Sequence, residues 1–224
     1  MSKNASGPLV VRHDVDEAEE MSPDSESTPV LTTNAALVII DVQRGFADKG
    51  YWGARNNPGF EWNLERLINV WEHTGRPIVV VRHDSQSENS PLRTGQNGNE
   101  LTDAVGAVSP ALVVTKVVNS SFHGTPDLRA WLEAEGIRQL VLAGIQTNMC
   151  VETTARVGGN LGFDVLVALD ATHTFDLTGS DGTTMTADEL ATATAVNLSG
   201  GGFARIVTTS SLEAASAALV APRD

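Results

Sequence analysis

Cysteine is almost missing from this sequence: Cys150 is the single one among 224 residues. No intrachain disulfide can form, and a lone thiol suits a reducing compartment, so the chain reads as cytoplasmic. Long apolar runs are missing as well. No stretch approaches the ~20 residues that a membrane-spanning helix needs, and Met1 to Val30 has neither the basic start nor the apolar centre of a secretion signal. Positive charge is scarce: 15 Lys and Arg stand against 28 Asp and Glu, a net charge of −13. That balance argues against nucleic acid and anionic membranes as partners and leaves a small molecule. Two familiar motifs are also absent. There is no G-x-S-x-G elbow for a serine hydrolase, and no G-x-G-x-x-G after a strand for a dinucleotide.

What is present is enough apolar material for one domain. At 41% hydrophobic residues, a chain of this length buries roughly 70% of its unfolded surface and needs no staple. Residues 1–33 carry Asp14, Asp16, Glu17, Glu19, Glu20, Asp24 and Glu26 against Lys3 and Arg12, without an apolar face. They read as an acidic, disordered tail, or as an oligomer-wrapping arm in which Val10-Val11 and Val30-Leu31 each add a short edge strand. Residues 34–224 form the expected domain. Apolar runs mark strands at Ala36–Asp41, Pro77–His83, Ala111–Lys116, Gln139–Ile145, Asp164–Ala171 and Ala204–Thr209. They lack in/out alternation, as strands covered on both faces do. Helical spacing lies between them, with Leu64, Leu67, Ile68 and Trp71 on one face and Leu128, Trp131 and Leu132 on another, and Gly75, Gly136 and Gly162 as stops. Such alternation predicts an α/β single domain, a doubly wound, mostly parallel sheet of six strands.

In such a sheet, ligands bind beyond the carboxyl ends of the strands. Asp41, His83 and Lys116 end the first three predicted strands, and Cys150 follows the fourth. Between a strand and a helix, a thiol gains thiolate character from the helix N-terminus; a buried structural Cys is the competing reading. Asp41 alone could be a turn former, and Lys116 alone could point into water. Together the three make sense as a thiol nucleophile, a proton carrier and a positive charge that holds both. A pairing of Cys150 with His83, His123 or His173 is also open, though His173 reads as structural or as a pocket wall.

Five blocks carry a resemblance: IIDVQRGF at 39–46, VVVRHDS at 79–85, VTKVVNSSFHGTPDL at 114–128, GIQTNMCVETTAR at 144–156 and VLVALDATHTF at 165–175. In that order they resemble the isochorismatase-like cysteine hydrolase superfamily, which includes nicotinamidase, N-carbamoylsarcosine amidohydrolase, biuret hydrolase and streptothricin hydrolase, over about Ala35 to Leu212. The resemblance implies that Asp41 is the general acid/base, Lys116 the thiolate stabiliser and Cys150 the nucleophile. It also implies a cis Ile145–Gln146 bond that turns the Gln146 amide, with that of Cys150, towards an oxyanion. Phe46, Trp52, Asn119 and Phe122 are the candidate substrate contacts, with ordinary loop packing as the alternative for each. No cofactor is implied. The Asp-x-His and further His that hold a metal in the nicotinamidase branch are missing after the second strand, so no metal is expected. The activity implied is hydrolysis of a C–N bond in a small amide, ureide, carbamoyl compound or lactam by a homo-oligomer, a dimer or tetramer. Isochorismate pyruvate-hydrolase, with Asp41 as acid, or a catalytically idle scaffold are the alternatives.

Overall fold

The computed structural model describes residues 29–220. Six strands make one parallel sheet: β1 (Ala36–Ile40), β2 (Ile78–His83), β3 (Leu112–Lys116), β4 (Gln139–Ile145), β5 (Asp164–His173) and, after a small hairpin of β6 (Leu177–Thr178) and β7 (Thr184–Met185), β8 (Arg205–Val207). The order β3-β2-β1-β4-β5-β8 reverses direction of growth between β1 and β4. All five residues of β1 and all seven of β4 are buried, because helices cover both faces of these central strands.

On one face lie α2 (Phe60–Thr74) and α7 (Thr209–Val220), with the short α1 (Lys49–Trp52) and α3 (Asp103–Gly106) near the strand ends; on the other lie α4 (Leu128–Ala134), α5 (Glu152–Asn160) and α6 (Ala187–Gly200). Helix α2 buries the predicted stripe of Leu64, Leu67, Ile68 and Trp71. The Trp71 indole donates to the Ala35 carbonyl at 2.9 Å, so the bulkiest side chain of the stripe has its polar atom satisfied at the start of β1. Gly75 ends the helix at φ 65°, a left-handed stop that a side chain would resist.

Most strand boundaries lie within two residues of the sequence reading, and three differences have a local reason. Asp41 leaves β1 because its φ is 54°. The last strand stops at Val207 rather than Thr209, since Thr208 and Ser211 exchange backbone–hydroxyl bonds at 3.2 Å that start α7. Core packing also reaches into the stretch assigned to the tail. Leu31 is 2% exposed and joins the α2 face of the core. Gln139 fixes it from both sides: its amide donates to the Val30 carbonyl at 2.9 Å and accepts from the Thr32 N–H at 2.8 Å. Val10-Val11 and the rest of 1–28 lie outside the described residues. Among those described, no helix is long and apolar enough to cross a membrane.

Candidate active site

Asp41, Lys116 and Cys150 meet at the carboxyl edge of the sheet, where the strand order switches between β1 and β4. Each arrives by a different device. Asp41 turns out of β1 in a left-handed conformation while its N–H still bonds the Val81 carbonyl at 3.0 Å. Lys116 is the last residue of β3 and stands in register with His83 of β2. Cys150 lies in a π-helical turn, Thr147–Val151, that joins β4 to α5. That turn is carried close to β1 by Gly144. A Cβ there would sit 2.1 Å from the Ile40 carbonyl oxygen, and φ is 124°, so only glycine permits the approach. The turn is tied to the end of β5 by Thr147, whose hydroxyl donates to that of Thr172 at 2.8 Å, and by a hydrogen bond from Thr174 to Asn148. The Ile145–Gln146 bond is cis, as the resemblance implied.

The centre of the cluster is the Lys116 ammonium. Its Nζ lies 2.6 Å from Asp41 Oδ2, 3.1 Å from His83 Nδ1 and 3.4 Å from Cys150 Sγ. The side chains of Lys116 and Asp41 are 0% and 1% exposed, so the ion pair is held in a low-dielectric interior. Asp41, His83 and Cys150 each offer a donor atom within 4.8 Å of the others. Such a cage suits a cation, and the cation within reach of all three is the ammonium itself. Asp41 Oδ1 is buried without a hydrogen-bond partner among the described residues. One carboxylate oxygen therefore holds the lysine, and the other is free to take a proton.

Burial dominates the acid–base balance. It raises the Asp41 carboxyl above its usual value, with Lys116 opposing. Burial, then the charge of Asp41, pushes the Cys150 thiol up to about 12, and Lys116 only partly offsets them. Desolvation and the carboxylate thus work against the thiolate character that the helix end and the ammonium favour. Burial and the ammonium also push His83 down to about 4, so its imidazole is neutral at pH 7.

The remaining candidates divide. Asn119 is brought to the sulfur, its Oδ1 3.9 Å from Sγ. Phe46 lines a cleft of about 740 Å³ with Phe60, Leu64, Ile145, His173 and Phe175. That cleft opens on the α2 side, and Asp41, Lys116 and Cys150 are not among its walls. Trp52 supports Phe46 from 4.8 Å and donates to the Gly45 carbonyl at 2.9 Å. Phe122 packs against the core cluster that also holds Cys150 and stacks on Phe163 at 5.6 Å. His123 is exposed. His173 is a buried wall, edge-on to Phe60 at 4.7 Å and Phe175 at 5.3 Å.

One participant escaped the sequence reading. Gln43, 1% exposed, accepts from the His83 N–H at 2.9 Å and donates to the His83 carbonyl at 3.0 Å. Asn99 Nδ2 adds a second donor to that carbonyl at 3.1 Å. A Gln two residues after Asp41 was visible in DVQ, but nothing in its spacing named its partner.

Comparison with known proteins agrees with this architecture. The model of the isochorismatase domain matches residues 35–198. The chain is 37% identical over 142 residues to the isochorismatase family protein YrdC of Bacillus subtilis, covering 63% of this chain and 75% of that one. It is 31% identical over 186 residues to nicotinamidase 3 of Arabidopsis thaliana, covering 77% and 84%. Among solved structures, a hydrolase of the isochorismatase family from Chromobacterium violaceum aligns with a TM-score of 0.80 at 35% identity, over 87% of this chain and 100% of that one. With the fold, the strand order and the matched residues in agreement, the chain belongs to the isochorismatase-like family of hydrolases.

Proposed function

We propose that the chain hydrolyses a C–N bond of a small amide, ureide, carbamoyl compound or lactam with Cys150 as nucleophile. The observation that carries this is the buried contact of one ammonium with both a carboxylate and a thiol, at 2.6 and 3.4 Å. The similarity to a nicotinamidase, whose name denotes an amide substrate, points the same way.

The reaction follows from the proton positions. Burial favours the proton on sulfur, and Asp41 Oδ1 has no hydrogen-bond partner among the described residues. When a carbonyl carbon approaches, Asp41 takes the thiol proton as the C–S bond forms. The negative charge then moves to the substrate oxygen, which the N–H groups of Gln146 and Cys150 stabilise; one such donor is worth roughly 3 kcal/mol of barrier. Collapse breaks the C–N bond, and Asp41 gives its proton to the departing nitrogen. A water deprotonated by Asp41 cleaves the acyl-thioester, releases the acid and returns the proton to sulfur. Lys116 holds the negative charge as it passes between carboxylate and sulfur.

The test is a panel of ureides, carbamoyl amino acids, lactams and aryl amides, scored for released ammonia or amine. Turnover should appear on at least one and vanish both on iodoacetamide treatment and in Cys150→Ala. Vinyl-ether cleavage that survives in Cys150→Ala and is lost in Asp41→Asn would assign acid catalysis instead. No turnover on any member, with Cys150 intact, would favour the scaffold.

A further inference from the structure

A protonated lysine carries three N–H donors and no acceptor. In this buried site the three have three partners, Asp41 Oδ2, Cys150 Sγ and His83 Nδ1. The first two belong to the reaction proposed above. The third does not, and it completes the set. We propose that His83 is a positioning residue: its neutral imidazole accepts the third proton of Lys116 and thereby fixes where the other two point.

Several observations support this assignment. The acceptor at 3.1 Å has to be an unprotonated ring nitrogen, because an imidazolium would set two cations against each other in a site shielded from water. The proton of the neutral ring is then on Nε2. His83 is also held more firmly than a strand-end residue requires. Buried Gln43 binds both its backbone groups, Asn99 binds its carbonyl a second time, and the following amide, that of Asp84, donates to the Lys116 carbonyl at 2.8 Å. These bonds fix the end of β2 against β3 at the register where His83 and Lys116 are opposite one another. Histidine suits the position because it offers a neutral acceptor. A carboxylate would compete with Asp41 for the ammonium, and an apolar residue would leave one buried donor unpaired.

The experiment compares His83→Leu, which keeps bulk but removes the acceptor, with His83→Asn, whose Oδ1 can stand where Nδ1 stood. Iodoacetamide labelling of Cys150 against pH reads the ammonium at the sulfur without any substrate. The proposal rests on the amidohydrolase reading only for the consequence in turnover, so labelling keeps the two separable. In His83→Leu the labelling rate at each pH from 7 to 10 should fall below the parent's, and kcat on any substrate found should fall by about tenfold or more, as for a misplaced catalytic group, with KM little changed. His83→Asn should recover most of both. Melting temperatures of the two variants should agree, since a merely structural role would move stability and leave the labelling rates alone. A folded His83→Leu with the parent's labelling profile overturns the proposal, as does a folded His83→Asn no better than His83→Leu. If His83→Leu does not fold, His83→Ala against His83→Asn makes the same comparison.

Discussion

Cys150 stands in a place that makes it a poor acid. Its thiol is held at about 12 by burial and by Asp41, while Lys116 pulls the other way. The two neighbours should therefore be separable by substitution. Lys116→Met removes the opposing charge, so iodoacetamide labelling at each pH should be slower than in the parent. Asp41→Asn removes a charge that raises the thiol, so labelling should begin at lower pH than in the parent, even as turnover falls by about 10²–10⁴-fold with the proton carrier gone. In the parent, labelling should climb continuously from pH 7 to 10 without a plateau, because the titration lies above that range. An early plateau, or equal profiles for the two variants, would show that these groups do not face the sulfur. Asp41, Lys116 and Cys150 were legible in the sequence because each ends or follows an apolar run. The direction of the thiol's pKa was not, since desolvation depends on what packs around the sulfur.

At the scale of elements, the six strands were readable as uninterrupted Val, Ile and Leu, because a strand covered on both faces needs apolar residues at every position. Less was visible where polar side chains organise the chain. Helix α6 begins with a capping box, the Thr186 hydroxyl accepting from the Glu189 N–H while Glu189 reaches back to the Thr186 N–H. The T-x-x-E signature for it was present, but a helix rich in Ala and Thr has little apolar periodicity to announce it. The π-turn that carries Cys150 has no sequence signature at all. Its placement depends on Gly144, and substitution should show how strongly. Gly144→Ala meets the Ile40 carbonyl and should cost on the order of 3 kcal/mol or more in urea unfolding. Gly75→Ala also has a positive φ, but nothing lies within 4 Å of its Cβ position, so it should cost only about 1 kcal/mol. Equal costs would mean that β1 and β4 are not pressed together at this point.

Among the described residues, packing begins at the strap of 29–33. Leu31 fills the α2 face of the core and Gln139 holds the backbone on either side. Removal of residues 1–28 should leave the urea midpoint unchanged, whereas Leu31→Ala should lower stability by about 2–4 kcal/mol as a buried large-to-small change. A stable Leu31→Ala, or a large loss on removing 1–28, would reverse the assignment. Composition placed this boundary too late, because one buried leucine in a polar stretch has no periodicity to reveal it. The sequence by itself determined the fold class, the number of principal strands, the family and the three residues that meet at the sheet edge. These depend on hydrophobic runs, short-range turns and the residues that follow them. Only the tertiary structure set the His83 ring nitrogen against Lys116, Gln43 against the His83 backbone, and the burial that raises the Cys150 thiol. Each of those outcomes is set by burial and by partners 30 or more residues away in the chain, which no local pattern encodes.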